Sequence, residues 1–113
     1  MNIYLAGPMD RVDLEGMCGW RNSCHSYFEQ MEGVSLFDPT RRPHALDLNA
    51  KEIFNMDIND IDNSDIMLVV CRAGIHQYGT PCEVFYASYI LKKTVIGWYD
   101  SKNPPTGLSL IHI

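Results

Sequence analysis

The chain has 113 residues, 46% hydrophobic and 20% charged, the size and composition of one globular domain (residues 1–113) with a single core. Nine basic against fourteen acidic residues leave a net charge of −5, which argues against partners that need a broad basic surface, such as nucleic acid or an anionic membrane. The first apolar stretch covers only residues 2–6 and has no basic lead-in, so neither a signal peptide nor a membrane span is expected, and no targeting segment before it.

In chain order, residues 2–6 (Asn2-Ile3-Tyr4-Leu5-Ala6) read as a strand that runs straight into Gly7-Pro8-Met9. Residues 12–31 have helical character, and Gly33 is a plausible helix-terminating glycine before a short strand over 34–37. Residues 38–45 hold two prolines and two arginines and read as loop. Residues 48–62 read as a helix, with Ile53, Phe54, Ile58 and Ile61 at near-helical spacing. Residues 66–71 are continuously apolar, as expected of a strand covered on both faces. A third helix over 84–92, a strand over 94–98 and a possible edge strand within 108–113 complete the pattern. Strands alternating with helices imply parallel pairing, hence an α/β fold: a small flavodoxin-like doubly wound sheet with strand order 2-1-3-4 and a possible fifth edge strand.

In such a sheet, ligands bind beyond the carboxyl ends of the strands where the order reverses, here between the first and third strands. The loops delivered there begin at Gly7 and Arg72, and the second leads to Gly79-Thr80-Pro81-Cys82-Glu83. Two readings of Glu83 fit. Thr80, Pro81 and Glu83 match an N-cap, an N1 proline and an N3 acid, a capping box. The same position suits a nucleophile, because a helix N-terminus favours negative charge and should keep the carboxylate ionised at neutral pH. A carboxylate there can attack a sugar's anomeric carbon and form a covalent glycosyl intermediate.

Asp57 shares a helical stripe with Ile53 and Ile61, so an acid interrupts an apolar surface. It is either a boundary residue tipping into solvent or an acid that reaches the site and hydrogen-bonds or protonates a heterocycle. Tyr4 is a core aromatic by default, and its hydroxyl needs a partner if buried, for which a neighbouring carboxylate is a candidate. Met9 and Trp20 could flank a flat base, or pack in the core. Arg11, Arg41, Arg42, Arg72 and Lys102 all fall in loops after strands, either as solvated charges or as a phosphate-binding rim. Cys18, Cys24, Cys71 and Cys82 form no C-x-x-C pair and have no zinc spacing, so free thiols in a reducing cytoplasm are expected, with no metal. Glycine-rich dinucleotide and P-loop motifs are absent, and no serine sits in a nucleophile elbow.

Three segments in order and spacing resemble the nucleoside 2-deoxyribosyltransferase family and its relatives, the deoxynucleoside 5'-monophosphate N-glycosidases. They are Ile3-Tyr4-Leu5-Ala6-Gly7-Pro8-Met9, Asp57-Ile58-Asn59 with Asp65 eight residues after Asp57, and Gly79-Thr80-Pro81-Cys82-Glu83. The resemblance spans residues 2–98. It implies Glu83 as the nucleophile at C1' of the deoxyribose, Tyr4 positioning that carboxylate, and Asp57 contacting the base and assisting its departure. It places Gly7, Pro8, Met9, Gln77 and Gly79 around the substrate, with Met9 against the base. It also implies a nucleoside or nucleotide and a free base as partners, no cofactor, and a homodimer or higher homo-oligomer. Gln77, six residues before Glu83, stands where transferases often carry an acid and the glycosidases a phosphate-binding serine, and it matches neither. The glycosidases' serine and arginine after the first glycine are replaced here by Pro8 and Asp10.

Overall fold

The computed structural model describes residues 1–9, 14–42, 48–71, 79–99 and 110–112. The elements run β1 (Asn2–Ala6), α1 (Leu14–Phe28), β2 (Ser35–Phe37), a 3-10 turn (Pro39–Arg41), α2 (Ala50–Asp62), β3 (Ile66–Cys71), α3 (Gly79–Phe85), β4 (Thr94–Tyr99) and β5 (Leu110–His112). The sheet order is β2-β1-β3-β4-β5. The first four strands pair in parallel, as the alternation of strands and helices requires, and β5 closes the far edge antiparallel to β4. The expected flavodoxin-like order 2-1-3-4 with a fifth edge strand is therefore the observed one.

Side-chain alternation along the central strands divides the core. Tyr4 and Ala6 of β1 join Met67 and Val69 of β3, Val95 of β4, Ile61 of α2 and Ala87 beyond α3 in one buried cluster. Tyr4 therefore points to the face covered by α2 and α3, and its 0% exposure follows from that packing. Gly7 belongs to the other face: a Cβ added to it would lie 2.7 Å from Val70 Cγ1 and 2.8 Å from Trp20 Cζ2 of α1. Only glycine lets the chain leave β1 this close to the sheet and α1.

Helix α2 starts on Asn49, which accepts from the Glu52 backbone N–H at 2.8 Å while its own amide donates to the Glu52 carboxylate at 2.7 Å. That reciprocal cap sets the start of the helix two residues after the expected position. At the other end Lys93 Nζ donates to the carbonyls of Ile61, Asp62 and Ser64, tying the last turn of α2 to the start of β4. Gly33 has φ +81 and forms the left-handed turn into β2.

The third helix differs from expectation at both ends. It begins at Gly79, so Glu83 sits in its second turn and no acid occupies its first. The capping box expected from Thr80, Pro81 and Glu83 does not form, because Thr80 and Pro81 are already inside the helix. From Tyr86 to Ile90 the helix widens into a π turn, with the Leu91 N–H bonding to the Tyr86 carbonyl at 3.0 Å. Such turns recur beside functional sites.

Candidate active site

The side chains of Tyr4, Asp57 and Glu83, carried by β1, α2 and α3, converge on the face of the sheet that α2 and α3 cover. Asp57 lies on the inward side of α2 with Ile53 and Ile61, so the acid in the apolar stripe does not tip fully into solvent: its side chain is 18% exposed. A cation accounts for its burial. Arg42, just past the 3-10 turn, places Nη1 2.5 Å from Asp57 Oδ1 and Nη2 2.8 Å from Asp60 Oδ2. Burial works against that cation, but the bonds to Asp60 and Asp57 outweigh it and hold the guanidinium firmly charged.

Glu83 faces Tyr4. The Tyr4 hydroxyl is buried and lacks a hydrogen bond of strict geometry, yet the Glu83 carboxylate is close enough for the two to perturb each other. Burial, then the negative charges of Glu83 and Asp57, push the phenol well above its ordinary range, so it stays protonated and can only donate to a carboxylate. Glu83 responds in the opposite sense to the expectation from its place on the helix. Burial, followed by repulsion from Asp57, raises its carboxyl to about 7, against the lowering effects of Tyr4, Arg21 and Arg42. Without a place in the first turn, the carboxylate gains too little from the helix terminus to offset desolvation. The site therefore holds a carboxyl group poised between its two protonation states near neutrality.

A second polar network supports the glycine loop from the opposite face. Arg21 of α1 is fully buried, donates to the carbonyls of Gly7 at 3.2 Å and Leu5 at 3.5 Å, and lies 3.7 Å from Asp38. Its guanidinium also lies over the Trp20 ring, 4.5 Å from its centre. Asp38 accepts from Thr40 N–H at 2.8 Å and Thr40 Oγ1 at 2.6 Å, and pairs with His25 at 2.9 Å. Burial opposes the Asp38 charge, but these bonds and Arg21 outweigh it and hold the carboxyl below its usual value.

Of the other residues expected around a ligand, Gly7 and Pro8 are buried, whereas Met9 is 41% exposed and Gly79 is exposed. Gln77 lies outside the described residues, as do Arg11, Arg72 and Lys102 of the expected cationic rim. The two rim arginines that are described both have side-chain partners: Arg42 as above, and Arg41, which lies 3.6 Å from Asp38 and donates to the Asn22 amide oxygen at 2.8 Å. Sequence reasoning missed Arg21 and Asp38, and placed Arg42 on the rim rather than against Asp57. The usable signal was the spacing of Asp57 and Asp60, three apart on one helix face, which calls for a shared cation. A surface depression of about 330 Å³ beside β2, lined by His25, Phe28, Glu29, Val34, Ser35, Leu36 and Arg41, shares no residue with the Tyr4–Asp57–Glu83 group and offers one carboxylate only.

No family model matches the sequence, and no curated protein matches it significantly. Solved structures do. The fold superposes on a 2-desoxiribosyltransferase from Leishmania mexicana with a TM-score of 0.72 at 21% identity, over 97% of this chain and 77% of that one. A 2-deoxyribosyltransferase from Bacillus psychrosaccharolyticus, described as a biocatalyst for nucleoside synthesis, gives 0.71 at 22% identity over 94% and 77%. The chain shares its fold with 2-deoxyribosyltransferases. A conserved protein from Enterococcus faecalis V583 gives 0.70 at 16% identity over 93% of this chain and 67% of its own. Among the described residues, no helix is long and apolar enough to cross a membrane.

Proposed function

We propose that the protein cleaves the N-glycosidic bond of a 2'-deoxynucleoside and transfers the deoxyribosyl group to an acceptor base through a covalent ester on Glu83. The observation that carries this reading is the convergence of a buried Tyr4 hydroxyl, the Glu83 carboxyl and Asp57, perturbing one another, in a fold shared with 2-deoxyribosyltransferases. An oxygen of ionised Glu83 attacks C1', and the C1'–N bond breaks with its electron pair passing to the departing base, which takes up a proton from water. The acceptor base nitrogen then attacks C1', the C1'–O bond returns its electrons to the Glu83 carboxylate, and the acceptor gives up a proton. Tyr4, always protonated, orients the Glu83 oxygen, while Asp57 receives a hydrogen bond from the base as it leaves. The protein needs no cofactor for these steps.

A nucleoside rather than its monophosphate is favoured because Gln77, Pro8 and Asp10 stand where the glycosidases carry their phosphate-binding serines and arginine, and Arg42 of the expected rim is held by Asp57 and Asp60. The reading includes a cytoplasmic homo-oligomer whose neighbouring subunit helps complete the site. The four cysteines as free thiols suit a reducing compartment. Phe85 and Tyr89, stacked at 5.2 Å and each more than half exposed, offer an apolar surface for assembly.

Incubation with deoxyadenosine and free cytosine, followed by chromatographic separation, tests the proposal. Formation of deoxycytidine and adenine supports transfer. Free base and deoxyribose 5-phosphate from a monophosphate would instead make the protein a hydrolase, and binding without turnover would make it a nucleotide sensor.

A further inference from the structure

Asp57 and Glu83 present a physical problem. Two carboxylates in one partly buried site repel, and the repulsion favours protonating one of them. A protonated Glu83 cannot act as a nucleophile, and a protonated Asp57 is no longer an acceptor of fixed orientation. The structure places a cation at this point, on a segment that the sequence reading gave only a rim role.

We infer that Arg42 is a positioning residue of this site: its guanidinium grips Asp57 and Asp60 together, fixes the Asp57 carboxylate beside Glu83, and supplies the positive charge that allows two acids to share the pocket. The inference rests on the proposed role of Glu83 and Asp57 and adds a component to it. Three observations carry it. The guanidinium fork spans two acids three residues apart on α2, with Nη1 on Asp57 Oδ1 at 2.5 Å and Nη2 on Asp60 Oδ2 at 2.8 Å. A lysine, with one ammonium centre, cannot reproduce that two-armed grip. The Arg42 side chain is only 8% exposed, so the pair lies inside the protein, where a charge acts over short range with little screening. Asp57 Oδ1 is itself buried, so the exposed part of that side chain lies toward Oδ2. Arg42 thus takes Asp57 Oδ1 and leaves Oδ2 outside its grip.

The groups acting on Glu83 come from every element around it: Tyr4 from β1, Asp57 from α2, Arg21 from α1, and Arg42 from the segment after the 3-10 turn. Asp57 raises the Glu83 carboxyl, while Tyr4, Arg21 and Arg42 lower it. Asp60 takes the second arm of the guanidinium, which makes it the anchoring arm of the grip.

The decisive experiment is a carboxyl-carbon NMR titration of the free protein, labelled at its Glu and Asp side chains, for wild type, Arg42→Gln and Arg42→Lys. In the wild type the Glu83 midpoint is expected at about 7, where burial and Asp57 push it. Loss of the charge in Arg42→Gln should move that midpoint upward, because Arg42 is one of the groups that favour the charged form of Glu83. Arg42→Lys should bring it back toward the wild-type value. If base exchange is observed, Arg42→Lys should also lower kcat several-fold with a smaller change in KM, because the lysine restores charge but not the two-armed hold. Should Arg42→Gln not fold, the double variant Arg42→Gln/Asp60→Asn removes one charge of each sign and should show the same upward movement of Glu83. An unchanged Glu83 midpoint in a folded variant without the Arg42 charge overturns the inference. The titration needs no turnover. An inactive wild type with a shifted midpoint therefore refutes the transferase reading alone, and an active wild type with an unshifted midpoint refutes the role of Arg42 alone.

Discussion

The buried guanidinium of Arg21 donates to the carbonyl oxygen of Gly7 at 3.2 Å, so the loop that leaves β1 is held from beneath by a charge that never reaches solvent. That bond links the two faces of the sheet. On one face Tyr4 turns toward Glu83 and Asp57; on the other, two residues beyond the strand's inward Leu5, Gly7 rests on Arg21, Trp20 and Val70. Placement of the candidate site residues therefore depends on packing on the opposite face of the sheet.

Gly7→Ala should show that dependence. The added methyl would meet Val70 Cγ1 at 2.7 Å and Trp20 Cζ2 at 2.8 Å, and Val70 is 2% exposed with no room to retreat. Overpacking of this kind costs about 1–3 kcal/mol. The expected outcome is a lower melting temperature together with reduced base exchange, measured by differential scanning fluorimetry and product chromatography. A variant with wild-type stability and rate would show that the loop does not depend on this close approach.

Much of this arrangement was legible in the sequence, and the part that was not has a common cause. The run Ile66–Cys71 is apolar throughout because β3 is central, and its boundaries follow from the run itself. The order of the parallel strands follows from alternation of strand and helix patterns and from crossover rules. Tyr4, Asp57 and Glu83, which the structure brings together, stand out in the sequence as residues out of character for their element or placed at the switch point. Arg42, Arg21 and Asp38 do not, because a buried ion pair is a relation between distant segments and leaves no periodic trace in either one. The start of α3 failed for a different reason. Thr80-Pro81-x-Glu83 satisfies the residue pattern of a cap, but the backbone is already helical at Gly79, and a pattern of residue types does not contain the hydrogen-bond register. The π turn over Tyr86–Ile90 is hidden for the same reason.

The protonation of Glu83 gives a pH dependence with a definite sign. In the proposed reaction only the carboxylate can attack C1', and burial and Asp57 push that carboxyl up to about 7 in the free protein. Turnover measured as kcat/KM should therefore rise with pH and reach half its limit near pH 7. A limb near pH 4.5, the ordinary value for a glutamate, would mean that burial is not controlling this group.

Glu83→Gln should separate stability from activity. The carboxyl binds its proton more tightly in the folded chain than in the unfolded one, where it titrates near 4.5. The folded state is thus at no disadvantage below about pH 4.5 and loses stability as pH rises through about 7. That gap corresponds to about 3 kcal/mol at most. The amide carries no charge at any pH, so Glu83→Gln should be more stable than wild type at pH 8 by up to that amount and nearly equal to it at pH 4. Denaturant unfolding at both values checks this, and the same variant should lose measurable base exchange because an amide is a poor nucleophile.

Tyr4→Phe removes the hydroxyl and keeps the ring that fills the core between β1, α2 and α3. The hydroxyl favours the charged form of Glu83, so its loss should move the rising limb of kcat/KM to higher pH. A hydrogen bond to a charged group contributes about 1.5–3 kcal/mol, which corresponds to a roughly 10- to 100-fold fall in rate if Tyr4 holds the attacking oxygen. Unchanged rate and pH profile would leave Tyr4 a core residue only.

Asp38→Asn tests the support beneath the glycine loop. The amide keeps the shape of the side chain but removes the negative charge that faces buried Arg21 at 3.7 Å. Removing one partner of a buried pair costs up to about 3–5 kcal/mol, the upper end being blunted here because Arg21 keeps the Gly7 and Leu5 carbonyls and the Trp20 ring. The sign of its pH dependence follows from the direction of the Asp38 shift. Its carboxyl is held below the unfolded value, so the stability it contributes is present above that value and is lost as pH falls through the folded one. The difference between wild type and Asp38→Asn should therefore be largest near neutrality and shrink in acid, as read by denaturant midpoints across pH. Because Arg21 also donates to the Gly7 carbonyl, the variant should lose base exchange even at temperatures where it remains folded. Full activity at such a temperature would show that the Arg21–Asp38 pair stabilises the fold without positioning the site.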